Sequence, residues 1–281
     1  MLLRHVAVVS ESKSVSAADV SIAAAAIQKQ VSRDFSPLWQ IDATVDGFSK
    51  LEDVPIDYWP VVIEDNINEP GAAGVHMDDN GQPFALIEAN EGWQLTTSHE
   101  TLEMLADPFG NRVVAGQSPM DGQGRVEFLV EVCDPPEDAQ FGYTSNGILV
   151  SDFLTPNYYQ PVTSVAVRYS YTGAIKAPRT VLPGGYLSWH DPVSDHWFQE
   201  RFFSEAPEFK DLGVLSAEAE SLRSEIDKLT PVPQRARGLS KAAPFVKKAY
   251  AMRAAVSSSG NSRATRLHSR IEQVRRAAGD R

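Results

Sequence analysis

The sequence contains little cysteine and no long apolar run. One of its 281 residues is a cysteine, which excludes a framework of intrachain disulfides. No stretch of 18 consecutive apolar residues occurs, and the first residues lack an apolar core followed by a small-residue cleavage site. Neither a transmembrane segment nor a signal peptide is therefore predicted. We expect a soluble protein that is cytoplasmic or part of a particle.

Motifs of several enzyme classes are also missing. Neither Gly-x-x-x-x-Gly-Lys nor Gly-x-Gly-x-x-Gly occurs, which argues against a nucleotide-binding enzyme. There is no Gly-x-Ser-x-Gly turn that would present a serine nucleophile. The single cysteine, Cys133, is a poor nucleophile because its acidic neighbours Glu131 and Asp134 are expected to raise the pKa of its thiol.

Charge is distributed unevenly along the chain. The net charge is −11, yet residues 231–281 hold 12 Lys and Arg against two acids, so the first 230 residues carry −21. Two basic amphipathic helices are predicted within this tail, over 242–256 and 264–278. Such a tail could bind an acidic partner subunit, nucleic acid or an anionic membrane surface, or it could dock on the acidic body of the same chain.

The most informative segment is Ser-His-Glu-Thr-Leu-Glu-Met-Leu-Ala-Asp-Pro at 98–108. Residues four apart lie on the same face of an α-helix, so His99 and Glu103 can bind one metal ion while Glu100 lies beside them. Ser98 is predicted to be the N-cap, and Pro108 cannot continue the helix. The alternative is an ordinary surface helix that carries one histidine and several carboxylates.

A zinc site usually takes three protein ligands and leaves one position for water, so a third ligand is needed. Asp107 is expected to end the helix or to support the ligands, because eight residues of helix rise about 12 Å. Glu131 is predicted as the third ligand, with Asp134 behind it or in its place. His190 and His196 are further candidates, although a histidine near Trp and Phe is more often a packed residue.

Together, Ser-His-Glu-x-x-Glu-x-x-x-Asp-Pro and the later Glu-x-x-Asp that contains Cys133 resemble the zincin-like proteins, which include the plant exordium, or phosphate-induced, proteins. The resemblance covers about residues 95–135 by motif and implies a metallopeptidase-like scaffold. Metzincin-type enzymes continue their helix with a Gly turn and a third histidine, whereas this chain continues with Asp107 and has no further histidine before His190. Zn²⁺ is the expected ion, and Ca²⁺ is the alternative because the set is rich in carboxylates.

The apolar pattern ahead of the motif predicts strands at 3–9, 41–48, 58–64, 74–77 and 84–89 and a helix at 16–35. The resulting order is strand, helix, three strands, strand and metal-site helix, which looks like the N-terminal subdomain of metzincin-type peptidases. It implies an α+β fold with a zincin-like mixed sheet. Gly74, Val75 and His76 would then belong to the antiparallel edge strand that lines the substrate cleft and can pair with an extended peptide.

Four regions are predicted: an N-terminal subdomain over 1–110, a β-rich lobe over 111–210, a connecting helix over 211–230 and the basic helical tail over 231–281. Within the lobe we expect strands at 147–154, 162–171 and 184–190. Asp152 could flank the metal as a supporting residue or an alternative ligand. The connecting helix, predicted over 212–229, is expected to be exposed.

Two functional hypotheses follow. The first is a metal-dependent, zinc peptidase-like hydrolase acting on a peptide or protein substrate, in which Glu100 accepts a proton from the attacking water. The second is a catalytically inactive zincin-like module that serves as a structural or binding subunit of a larger assembly, such as a virion or another multi-subunit particle. In that case the basic tail would attach the module to its partner.

Overall fold

The computed structural model of the protein describes residues 3–69, 71–216 and 221–231. The fold is a mixture of α and β elements. The strands are β1 (Arg4–Ser10), β2 (Ala43–Phe48), β3 (Trp59–Glu64), β4 (Gly74–Asp79), β5 (Gln82–Glu88), β6 (Val113–Gln117), β7 (Arg125–Leu129), β8 (Tyr143–Ser145), β9 (Ile148–Val150), β10 (Tyr186–Asp191), β11 (His196–Arg201) and β12 (Glu208–Gly213). The helices are α1 (Ala17–Lys29), α2 (Ser36–Trp39), α3 (Trp93–Ala106) and α4 (Leu222–Leu229). A π-helical turn spans Gln30–Phe35, and 3-10 turns span Leu51–Asp53 and Pro156–Tyr159.

The N-terminal sheet has the strand order β2-β1-β3-β5-β4. Strands β1, β2, β3 and β5 are parallel, and β4 pairs antiparallel with β5 at one edge. The predicted order of elements and the predicted antiparallel edge are thus confirmed. Residues alternate across the sheet, so Val6 and Val8 enter the main core while Ala7 and Val9 enter a second cluster on the other face.

The main core lies between the N-terminal sheet, helices α1 and α3, and a second sheet. Ser16 caps α1 through a reciprocal capping box with Asp19, as the Ser at this position favours. A π-helical turn, Gln30–Phe35, continues α1. The helix predicted over 16–35 is therefore present, but it changes from α-helical to π-helical at Gln30. The Gln30 amide donates to Ser151 O, which ties this turn to the region that follows β9.

Helix α3 begins at Trp93 with Gly92 at its N-cap, so the predicted N-cap role of Ser98 is wrong. Ser98 lies in the middle of the helix, and its hydroxyl makes long-range hydrogen bonds instead. It donates to Gln30 Oε1 and accepts from Ser151 N. Local capping preference could not reveal these partners. Asp107 is the C-cap, which confirms that it ends the helix.

The second sheet has the order β12-β11-β10-β7-β6, and all its neighbouring strands are antiparallel. Strands β8 and β9 form a separate hairpin. The strand predicted over 162–171 is wrong, because the segment makes only an isolated bridge between Leu154 and Ser170. Its β-branched residues Val162 and Val165 are exposed and have no sheet to pack on, so propensity alone did not make a strand.

The helix predicted over 212–229 is present only as α4. Residues 212 and 213 belong to β12, which pairs with β11, and 217–220 lie outside the described residues. Helix α4 is also not exposed throughout, since Arg223 and Ile226 are buried. The two helices predicted in the basic tail lie outside the described residues. In the described part of the chain, no helix is long and apolar enough to cross a membrane.

Candidate metal centre

Ionisable side chains from four parts of the fold meet beside the middle of α3. Helix α3 contributes His99, Glu100 and Glu103, all of them buried. The others come from the edge strand β4, the loop that follows β7, and α4: His76, Glu131, Asp134 and Arg223. We call these seven residues the charged cluster. The helical spacing of His99 and Glu103 places both on one face, as the sequence predicted.

His99, Glu103 and Asp134 form one group that could hold a metal ion. His99 Nε2 lies 3.4 Å from Glu103 Oε2 and 3.2 Å from Asp134 Oδ1. Ligand atoms about 2.0–2.1 Å from a tetrahedral zinc ion stand about 3.3 Å apart. The two separations measured from His99 therefore match those of zinc ligands.

Two carboxylates of the charged cluster, Glu131 and Asp134, have no aligned hydrogen-bond donor among the described residues. Both oxygens of Asp134 and both oxygens of Glu131 are buried without an aligned hydrogen-bond partner, despite the short ion-pair distances to His99 and Arg223. Buried carboxylates are costly unless a cation or hydrogen bonds compensate them. A cation bound between Asp134 and its neighbours would supply that compensation, so the residues present fit a metal ion.

His76, Glu100 and Glu103 form a second group that shares Glu103 with the first. His76 Nε2 lies 3.0 Å from Asp107 O, and because a carbonyl only accepts, Nε2 carries the hydrogen. His76 Nδ1 lies 2.6 Å from Arg223 Nη1 and 3.3 Å from Glu100 Oε2. The imidazole is thus held between α4 and the end of α3.

Arg223 is the centre of the charged cluster. Its Nη1 lies 2.6 Å from Glu103 Oε2 and 2.7 Å from Glu131 Oε2, and its Nη2 lies 3.8 Å from Glu100 Oε2. Nothing in the sequence pattern points to Arg223, which is 120 residues from Glu103. Arg223 is the one arginine of the segment 212–229, whose composition otherwise resembles that of the rest of the acidic body, residues 1–230.

Burial and charge together set the protonation of the α3 side chains. Burial alone would lower the pKa of His99, but the charge of Glu103 and the contact with Asp134 outweigh it and raise that pKa well above its ordinary value. Burial would raise the pKa of Glu103, but the charges of His99 and Arg223 lower it well below its usual range. In the metal-free protein, His99 is therefore a cation paired with an ionised Glu103.

The two carboxylates after β7 behave differently from Glu103. Burial raises the pKa of Glu131 well above its ordinary value, and the charge of Arg223 only partly opposes this. Burial, followed by repulsion from Glu103, raises the pKa of Asp134 to about 6. Both carboxyls resist ionisation while no further cation is present, which is the behaviour expected of acids that a metal ion would deprotonate.

The structure brings together six of the residues predicted for the site: His76, His99, Glu100, Glu103, Glu131 and Asp134. Glu131 lies in the cluster but contacts Arg223, whereas Asp134 is the carboxylate that is grouped with His99 and Glu103. Gly74 and Val75 lie on β4 as predicted. The carboxylate of Asp107 accepts from Arg112 N at 2.6 Å, and its backbone carbonyl accepts from His76 Nε2 at 3.0 Å.

Other candidates lie apart from the charged cluster. Asp152 accepts hydrogen bonds from Thr172 and supports the chain after β9. His190 pairs with Glu127 and Asp195, and His196 pairs with Asp211, all on the second sheet. Cys133 is buried, and burial first and the charge of Glu103 second raise the pKa of its thiol, so the predicted direction is confirmed although its main causes are not the sequence neighbours Glu131 and Asp134. Its backbone N–H donates to Glu103 Oε1 at 3.0 Å and thereby orients that carboxylate.

Comparison with protein-family models, with curated proteins and with solved structures finds no match to this chain. What the charged cluster can do must therefore be inferred from its own residues.

Proposed function

We propose that the chain is a metal-dependent, peptidase-like hydrolase with zinc held by His99, Glu103 and Asp134. The observation that carries this proposal is the pair of separations from His99 Nε2, 3.4 Å to Glu103 and 3.2 Å to Asp134, which suit a tetrahedral ion. One nitrogen and a small number of carboxylates favour zinc over calcium, which takes six to eight oxygen ligands. Asp134 takes the third position for which the sequence suggested Glu131.

A zinc ion held by these three residues would lower the pKa of a bound water and would polarise a substrate carbonyl. Glu100 is suited to accept the proton from that water, because it follows the ligand His99 directly and reaches the same cluster from α3. Burial would raise the pKa of Glu100, but the charge of Arg223 lowers it, so the carboxylate is in the basic form at neutral pH. Strand β4, next to Glu100, offers main-chain groups at the sheet edge to an extended peptide.

Metal content tests the ligand set. Protein incubated with excess zinc and then freed of unbound metal is expected to hold about one zinc ion per chain by elemental analysis, which follows from three protein ligands at one ion. Asp134→Asn is the sharpest variant, because the only ion pair of the Asp134 carboxylate among the described residues is with the ligand His99, and the amide keeps its shape while removing the charge. His190→Ala is the matched control, since it removes a histidine from the second sheet. Zinc retained by Asp134→Asn as well as by His190→Ala would contradict the assignment.

A second experiment separates the chemistry from the binding of the ion. Glu100→Gln is expected to keep zinc and the fold yet to lose on the order of 100-fold in hydrolysis of a peptide library, because a general base contributes about that factor. Equal cleavage by wild type and Glu100→Gln would show that Glu100 is not the base.

The second candidate function is a catalytically inactive zincin-like binding module. The observation that favours it is Arg223, whose guanidinium compensates Glu103 and Glu131 without any metal ion. In that case the charged cluster holds the fold together, and the basic tail, 231–281, contacts an acidic subunit or a polyanion. Protein that binds no zinc and cleaves no peptide, yet unfolds when Arg223 is replaced, would support this candidate over the hydrolase.

A further inference from the structure

Helix α4 is attached to the body of the protein directly over the charged cluster. Its N-cap, Ser221, is fixed by a reciprocal capping box with Ser224. Leu222 N donates to Asn111 Oδ1 at 2.9 Å, and Arg223 N donates to Gly110 O at 3.1 Å. The first turn of α4 is therefore bound to the loop that follows α3.

The second turn of α4 is attached to the other lobe. Ile226 packs in a small apolar cluster with Leu129 and Trp197 of the second sheet. Beyond the helix, Arg201 Nη2 donates to Pro231 O at 3.0 Å. Helix α4 thus contacts both the loop that follows α3 and the second sheet.

This attachment inserts Arg223 where a bound cation would act. Arg223 Nη1 lies 2.6 Å from Glu103 Oε2, and that same oxygen is the one that lies 3.4 Å from His99 Nε2. A divalent ion held by His99 and Glu103 would stand close to the guanidinium, and two cations repel strongly inside a protein, where screening is weak. The guanidinium and the ion therefore compete for one carboxylate oxygen.

The ligand set is also covered by protein. His99 is 8% exposed, Asp134 is 1% exposed and Glu103 is fully buried. A peptide carbonyl must reach the ion to react, so a ligand set this deeply covered does not admit a substrate. Helix α4 contributes to this cover through Arg223, which contacts Glu103 and Glu131.

We propose that α4 is an autoinhibitory segment in which Arg223 takes the place of the catalytic cation. Withdrawal of Arg223 from Glu103 then precedes both metal loading and substrate entry. This inference rests on the proposed metal site, and it adds that the protein as folded here is the closed form. Removing the charge of Arg223 leaves Glu103 free to bind the ion and changes none of the proposed ligands.

The test compares Arg223→Gln with wild type and with Lys228→Gln, which removes an exposed charge from the same helix. Zn²⁺ affinity is measured on the full chain by competition with a chromophoric chelator. Arg223→Gln is expected to bind zinc at least about tenfold more tightly than wild type, the scale on which groups around a metal change its affinity. Lys228→Gln is expected to match wild type.

Thermal unfolding of the same three proteins, with and without zinc, provides a second readout. Without zinc, Arg223→Gln is expected to unfold at a lower temperature than wild type, because Glu103 loses its buried partner, and zinc is expected to restore the loss. Equal or weaker zinc binding by Arg223→Gln, or a loss of stability that zinc does not restore, would overturn the inhibitory role alone. Absence of zinc binding in all three proteins would instead overturn the metal site itself.

Discussion

Helix α3 buries three ionisable side chains within five residues, His99, Glu100 and Glu103. An isolated buried charge is very costly, so each of them needs a partner of opposite charge or a hydrogen bond. Glu103 has four partners among the described residues: the His99 ring, the Arg223 guanidinium, the Cys133 backbone N–H and, at 3.8 Å, the His76 ring. At the scale of single residues, the charged cluster is therefore a compensated network whose weakest members are Glu131 and Asp134.

Asp134 is held in place by a close backbone approach at Gly185. A Cβ at Gly185 would lie 2.5 Å from Asp134 O and would also collide with Pro135 O. Gly185→Ala is therefore expected to shift the Asp134 backbone, to lower the free energy of unfolding by about 1–3 kcal/mol and to weaken zinc binding. Urea unfolding and chelator competition measure the two effects.

Val62→Ala is the control for this prediction. Val62 is fully buried on the far face of the N-terminal sheet, so its truncation costs about 1–2 kcal/mol through a cavity without touching the ligands. Zinc affinity that falls equally in Val62→Ala and Gly185→Ala would show that general destabilisation, and not the position of Asp134, is responsible.

At the scale of elements, the edge strand β4 lies unusually close to α3. The approach requires Gly74, because a Cβ there would lie 2.5 Å from Thr96 Cγ2 and 2.9 Å from Glu100 Cγ. Gly74→Ala is expected to push β4 and Glu100 apart, at a cost of about 1–3 kcal/mol in the free energy of unfolding, and to lower peptide hydrolysis while zinc stays bound. Urea unfolding, metal content and hydrolysis rates together check this.

A compensating change sharpens the β4 prediction. Thr96→Ser removes the Cγ2 methyl that a Cβ at Gly74 would meet most closely. The double variant Gly74→Ala with Thr96→Ser is expected to recover part of the lost stability. No recovery in the double variant would mean that the contact with Thr96 does not set the distance between β4 and α3.

Strand β11 carries a buried carboxyl, Glu200, whose pKa burial raises to about 7. An unfolded glutamate titrates near 4.3, so the folded state holds this proton more tightly and loses stability as the pH rises from about 4 to 7. Glu200→Gln removes the titration and is expected to be more stable than wild type by about 3–4 kcal/mol at pH 8, at about 1.4 kcal/mol per pKa unit. Below pH 4 the two proteins are expected to converge.

Urea unfolding at pH 4 and pH 8 measures the difference between Glu200→Gln and wild type. Glu208→Gln, an exposed position on the neighbouring strand β12, is the control and is expected to change stability little at either pH. A stability difference for Glu200→Gln that is the same at both pH values would rule out titration of Glu200 as its cause.

At the scale of the whole molecule, an acidic body of −21 precedes a tail that carries +10. The main core and the charged cluster are both formed by residues before 231. Deletion of 232–281 is therefore expected to leave the thermal midpoint unchanged and to abolish binding to heparin or to an acidic protein. The binding of the full chain is expected to fall steeply with salt, because exposed charges are screened.

Calorimetry of the truncated chain and salt titration of the full chain check this prediction. A truncated chain that unfolds would show that 232–281 completes the core. Binding that is insensitive to salt would assign the contact to apolar residues of the tail.

Local pattern in the sequence determined the N-terminal half of the fold and the three cluster residues of α3. Short apolar, β-branched or alternating runs predict β1, β2, β3 and β5, and four-residue spacing puts His99 and Glu103 on one face, because the helical period is a property of the backbone alone. The antiparallel edge at β4 was implied by the resemblance to metzincin-type peptidases. Cluster residues that lie within one helix could therefore be predicted before any packing was known.

Tertiary structure alone decided the rest of the charged cluster. Asp134, and not Glu131, meets His99 because Tyr186 N and Leu182 N hold the backbone at Asp134 and Pro135, bonds that span about 50 residues. Arg223 enters because α4 packs across both lobes, 120 residues from Glu103. The periodicity of a local sequence cannot predict contacts between residues so far apart in the chain. A buried charge is compensated by whichever partner the completed fold brings close to it.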